Sequence, residues 1–189
     1  LQVRLLIFLL PLIIKTIGMQ KSLLLLALFI SSISMAQQVT FKGAFLEKWN
    51  NSRDYLIAVA EAMPEEHYDY KPTKKQRSFK EQLLHIQGNI NWLDQSYFSK
   101  SEDTGDQQDD PGLNKAKIIA LLHNTFDTVY RDIENSSATE LKESVRFFAG
   151  PKSKLQIMNL LQDHVTHHRG QLLVYLNLKD VTPPSYSGW

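Results

Sequence analysis

The chain has 189 residues, 21 basic against 20 acidic side chains, and a formal net charge of +1. That balance, with no basic cluster longer than Lys74-Lys75-Gln76-Arg77, speaks against a nucleic-acid groove, which needs a dense field of Lys and Arg. Cysteine is absent, which excludes a thiolate nucleophile, disulfide staples and sulfur ligation, and leaves His, Asp and Glu as metal-binding side chains.

Two apolar stretches open the chain, Leu5 to Ile14 and, after Gly18-Met19, Leu23 to Ile30. Each falls short of the ~20 residues that a spanning helix requires, which disfavours a two-span membrane anchor. The second has the layout of a secretory signal: Lys21 in a short basic leader, an apolar middle, and Ser34-Met35-Ala36 as a small-residue cleavage site before Gln37. Residues 1–36 are therefore expected to be an upstream extension plus signal peptide, with Met19 as the translation start. The mature domain over 37–189 would be secreted or periplasmic, with no stable membrane insertion after cleavage.

From Phe41 to Met63 apolar residues recur at helical spacing, at 41, 45, 49, 56, 59 and 60, and Pro64 marks the stop. A loop follows through Pro72, which keeps Lys71 out of the helical region. Ser78 is a good N-cap, and Glu81 three residues on completes a capping box, so a second helix should run to about Phe98. Its apolar stripe is Phe79, Leu83, Ile86, Ile90, Leu93 and Tyr97. Residues 99–112 are polar and acidic without an EF-hand spacing, which reads as a solvated loop rather than a calcium site. Leu113 to Ile133 is the third helix, with Leu121, Leu122, Phe126, Val129 and Ile133 on one side. An irregular stretch to Lys152 contains Val145-Arg146-Phe147-Phe148 as a short extended piece. The fourth helix starts near Ser153 and ends around Leu178, since Pro183-Pro184 forbids continuation. Four amphipathic segments without a strand series predict an all-α, antiparallel four-helix bundle.

In the fourth helix His164 and His168 stand one turn apart and leave the same face, so both imidazoles can reach one metal ion. With His164 as angular origin at 100° per residue, Ile157, Leu161, Leu172 and Tyr175 fall at roughly 20 to 80° and His168 at roughly 40°. His167 falls near roughly −60°, toward the rim. A stable site needs at least a third protein ligand. His67 sits in a loop beside two glutamates, His123 lies in the third helix, and His85 flanks the apolar stripe of the second. His85 is the best placed third ligand; its alternative reading is a hydrogen-bonded rim residue.

Three stretches together resemble the DinB/YfiT-like family of metal-dependent enzymes. They are Met63 to Pro72 followed by Ser78-Phe79-Lys80-Glu81-Gln82-Leu83-Leu84-His85-Ile86; then His164-Val165-Thr166-His167-His168-Arg169-Gly170-Gln171-Leu172; then Pro183-Pro184-Ser185-Tyr186. The resemblance implies an antiparallel four-helix bundle, often a homodimer, with a divalent metal held by His85, His164 and His168. The family often carries Gly where this chain has Asp180, so the turn before the Pro-Pro is where the two part. Members are associated both with hydrolysis and with low-molecular-weight thiol transfer.

Three histidines on one ion leave coordination positions open, as in catalytic rather than closed structural sites. Zinc is the first expectation, with nickel, iron or manganese as alternatives, and the ion would activate water or polarise a thiol or carbonyl oxygen. The expected function is a metal-dependent hydrolase acting on a small molecule. A thiol-dependent transferase on the same site and a non-catalytic metal-binding or structural bundle are the alternatives. No residue stands out as the catalytic base. Glu81, one turn before His85, is a candidate to orient that imidazole or act as base, although capping explains it equally well. Asp163 points roughly 100° from His164 and is at best an outer partner. Trp92, seven residues after His85, is placed to wall a pocket or simply to pack. Arg169 and Gln171 should hold neighbouring helices or a dimer partner. N-terminal sequencing of exported protein, after deblocking, should begin at Gln37; a mature N-terminus at Leu1 would contradict the signal assignment.

Overall fold

Prolines and capping side chains divide the chain into helices close to where the sequence pattern places them. The computed structural model describes residues 39–101 and 112–189; the signal segment and most of the acidic stretch 99–112 lie outside the described residues. Helix α1 spans Phe41–Ala62 and ends two residues before Pro64. A single 3-10 turn, Glu65–His67, opens the connection to α2, Phe79–Tyr97. The Ser78–Glu81 capping box is formed in both directions, Ser78 Oγ accepting from Glu81 N and Glu81 accepting from Ser78 N.

Helix α3 spans Lys115–Glu134 rather than starting at Leu113, because the Asn114 side chain accepts from Lys117 N and so caps the helix one residue after the leucine. The extended piece expected over 145–148 is shorter and shifted. Ser144–Val145 (β1) pairs antiparallel with Lys152–Ser153 (β2), and Phe148 enters the turn between them. Helix α4, Lys154–Leu178, starts from β2 with a second capping box, Ser153 with Gln156.

Helix α1 packs on α3 and α4, and α2 packs on the same two helices. Contacts along each seam give the directions. Lys42 Nζ reaches the Glu134 and Ser136 carbonyls while Lys115 Nζ reaches those of Glu61 and Met63, so α1 and α3 are antiparallel. Tyr175 donates to the Arg77 carbonyl, and His85 meets His164, so α2 and α4 are antiparallel as well. Gln87 pairs with Thr125, and Asp94 with Asp132, which sets α2 and α3 running the same way. A same-direction pair needs the long connection that separates these two helices in sequence.

The core is built around Trp49, which is fully buried, stacks on Phe45, packs at a tilt against Phe126, and donates to the Phe126 carbonyl at 3.0 Å. Leu56, Phe79, Leu83, Ile86, Ile90, Leu122 and Ile133 are equally inaccessible, each contributing about 1.5–3 kcal/mol through burial. Ile118 belongs to the same core, whereas Leu121 is half-buried. Among the described residues no helix is long and apolar enough to cross a membrane.

The C-terminal cap of α4 accounts for the departure at Asp180. Val181 N donates to the Leu176 carbonyl at 2.9 Å and Asp180 N to that of Asn177 at 3.1 Å, the paired bonds of a Schellman end. That geometry puts Asp180 in the left-handed region, φ 56°, where a glycine carries no Cβ penalty and aspartate is only tolerated. The Asp180→Gly variant should therefore be more stable by about 0.5–1 kcal/mol in thermal or urea unfolding; a destabilised variant would contradict this cap.

Candidate metal centre

Helix α4 buries a broad arc that includes Ile157, Met158, Leu161, Val165, Leu172 and Leu176. On the same angular scale Val165 sits at roughly 100° and Leu176 at roughly 120°, so the centre of the buried arc is displaced from the histidine pair. His164 thus lies at the edge of the arc and is half-buried, while His168, further in, is buried. On α2 the capping box starts the helix at a position that puts His85 at the matching flank, also half-buried.

The three rings meet in the α2–α4 seam. Ring centroids are 5.0 Å apart for His85 and His164, 4.6 Å for His85 and His168, and 4.4 Å for His164 and His168. One ring nitrogen from each lies within 4.8 Å of the others, a cluster that can hold a metal ion. The Nε2 atoms of His85 and His164 face each other at 3.2 Å, close to the roughly 3.3 Å edge of a tetrahedron with 2.0–2.1 Å metal–nitrogen bonds. The Nδ1 atoms of His164 and His168 are buried without a hydrogen-bond partner, which is uncommon for native side chains. Three converging imidazoles, poor in protein partners, are a donor set that fits a divalent cation.

Electrostatics point the same way. Burial lowers the pKa of His164 to about 4, helped by the charges of His168, His85, His167 and Arg77. Burial likewise lowers His168 to about 4, with the charges of His85, His167 and Arg77 adding to it and a side-chain hydrogen bond to Gln171 opposing it. His85 is lowered by burial and then by Arg77. All three are held in the neutral form that ligates metals.

The other expectations sort cleanly. His67 lies in the 3-10 turn, His123 is exposed, and neither joins the cluster. His167 is exposed with its Nε2 2.9 Å from the Gln171 amide nitrogen. Asp163 is exposed. Glu81 is committed to its cap and to Lys71 at 2.8 Å; the hydrogen bond from Lys71, then the one from the Ser78 backbone, lowers its pKa, making it a weaker base. It does not orient His85. Trp92 is 44% exposed and packs against Phe147 and Phe148, a surface aromatic group rather than a wall of the histidine cluster. Arg169 is buried with its guanidinium 4.5 Å over the Tyr55 ring, holding α4 to α1. Gln171 pairs with Gln82, which is itself buried, and so ties α4 to α2 one turn from the histidines. That long-range amide pair has no sequence signal.

The DinB family profile matches residues 35–188. The chain belongs to the DinB family. The crystal structure of a DinB-like protein from Bacillus subtilis, YjoA, is similar in fold, with a TM-score of 0.64 at 17% identity, covering 76% of this chain and 96% of that one. A comparison with curated proteins finds no match. For this DinB-family chain, then, the fold is shared with YjoA and the histidine cluster is read from its own geometry.

The depressed imidazole pKa values have a definite sign. In the metal-free protein the unfolded state takes up protons near 6.5 while the folded His164 and His168 resist until about 4. Their contribution to stability is complete above pH 6.5 and is lost as pH falls toward 4. Asp94 works in the opposite sense: burial, then the charge of Asp132, pushes its carboxyl up to about 7, so its contribution is lost as pH rises. Comparison with His164→Gln isolates the imidazole part. Metal-free wild type should lose stability relative to that variant between pH 6.5 and 4.5, whereas a pH-invariant difference would contradict the assignment.

Proposed function

We propose that this DinB-family protein is a metal-dependent enzyme, hydrolytic in its chemistry, in which His85, His164 and His168 bind one divalent ion, zinc first and nickel, iron or manganese as alternatives. The observation that carries the reading is the convergence of three imidazole nitrogens within 4.8 Å, from two helices, at an edge of the core where two of the rings are half-buried. Three protein ligands leave positions for water or substrate. A divalent ion held there supplies Lewis acidity toward water or a carbonyl oxygen.

The chain's own residues set the rest. The Gln82–Gln171 pair and the Tyr175 to Arg77 hydrogen bond hold α2 and α4 at a fixed separation, so the imidazoles are pre-positioned rather than gathered by the ion. Glu81 is not free to act as a base, because its carboxylate is engaged by Ser78 and Lys71. Glu81 therefore acts beside the site as a helix cap and ion-pair partner rather than as a proton acceptor. A secreted or periplasmic setting, on the strength of the signal-like segment ending at Ala36, completes the proposal.

Elemental analysis of the purified, zinc-loaded protein should find about one metal per chain. The His168→Ala variant should lose at least about tenfold in affinity with helicity retained. Hydrolysis of a panel of esters, amides and lactones, repeated with added thiols, should include a substrate turned over by the loaded protein and not by the variant. Wild-type protein that fails to take up metal would overturn the proposal.

A further inference from the structure

Beside the histidine cluster, one helical turn toward the start of α2 and the end of α4, lies a cleft of about 600 Å³. Its charged lining is Lys71, Lys75 and Arg77 against the single carboxylate of Glu81, a local excess of two positive charges on a chain whose total is +1. Glu81 is already neutralised by Lys71 at 2.8 Å. Among the described residues the side chains of Lys75 and Arg77 have no hydrogen-bond or ion-pair partner. Two unpaired cations converging on one concavity repel each other, an arrangement that an anion relieves.

The backbone that carries the two cations is anchored where it enters α2. The connection that carries them is pinned to α2 by Phe79 N on the Tyr70 carbonyl at 3.1 Å and Lys80 N on the Tyr68 carbonyl at 2.8 Å, and to α4 by Tyr175 on the Arg77 carbonyl at 3.0 Å. Such preorganisation lowers the entropic cost of binding. Gln82 and Gln171 line the cleft, and each lies three residues along its helix, roughly 4.5 Å of rise, from His85 and His168 respectively. The charge of Arg77 also reaches all three imidazoles.

We propose that this cleft binds an oxyanion, a carboxylate or phosphate group carried by the substrate, through Arg77 and Lys75, and so presents the rest of the molecule to the three histidines. The inference rests on the metal-site reading for its catalytic meaning, while the anion site stands on its own residues. Arg77 supplies a planar fork suited to two oxygens and Lys75 a mobile point charge.

The test is an NMR titration of full-length mature protein, in metal-free and zinc-loaded forms, with inorganic phosphate in one arm and acetate in the other, reading the Arg77 side-chain and Gln171 amide signals. Saturable binding is expected in the metal-free protein, weakened at least tenfold in Lys75→Gln/Arg77→Gln, and weakened again by 0.5 M sodium chloride. The arm with tighter binding identifies phosphate or carboxylate as the anionic group. Both substitutions are at exposed positions, so folding should be intact. In a variant with His85, His164 and His168 all changed to Gln, metal should be lost and phosphate or acetate binding retained. Binding that survives the double cleft variant but disappears with the histidines would overturn the anion cleft and leave the metal site standing. Absence of saturable binding in both arms would overturn it outright. Failure of zinc loading with anion binding intact would instead overturn the enzymatic reading alone.

Discussion

Three imidazole rings packed against one another between α2 and α4 can share that space only while they are uncharged. Their centroids are no more than 5.0 Å apart, and protonating two of them would place like charges together in a partly desolvated seam. The protein holds the rings neutral by burying them and by setting the Arg77 charge nearby. Neutral imidazoles whose nitrogens converge are poor partners for each other, and the Nδ1 atoms of His164 and His168 find no protein partner. The α2–α4 seam can therefore hold a cation between the three rings, and the bundle around it restrains them.

That restraint comes from elements with no chemistry of their own. Trp49 and Phe126 lock α1 to α3, Arg169 over Tyr55 locks α4 to α1, and Gln82 with Gln171 locks α2 to α4. Capping boxes at Ser78 and Ser153 set where α2 and α4 begin, and with them the rotation that brings His85, His164 and His168 to the shared seam. A cap side chain is worth only about 1 kcal/mol, yet a shift of one residue would turn a ring by roughly 100° and remove it from the cluster.

Much of this is legible in the sequence because it is local. Pro64, Pro72, the Ser78–Glu81 box and helical periodicity place α1 and α2 without tertiary information, and the spacing of His164 and His168 puts them on one face. The start of α3 is a miss at Leu113, where apolar spacing extends the helix two residues too far and the Asn114 cap is the signal that sets its true start. What is not legible depends on packing between distant segments. His85 remains one candidate among several until α2 is laid against α4. Trp92 has a direction on the helical wheel but no neighbour until the turn carrying Phe147 and Phe148 folds over it. Arg169 is buried against its charge because Tyr55 offers it a ring face, and Asp94 is buried against Asp132; neither follows from hydropathy. The family assignment narrows the fold and leaves the chemistry to the site.

The most direct test of the account is X-ray absorption spectroscopy at the metal edge of the zinc-loaded protein. The account predicts a light-atom shell near 2.0–2.1 Å with the outer-shell scattering of three imidazoles, reduced to two in His85→Gln. A spectrum with no imidazole scattering, or one unchanged in His85→Gln, would contradict it.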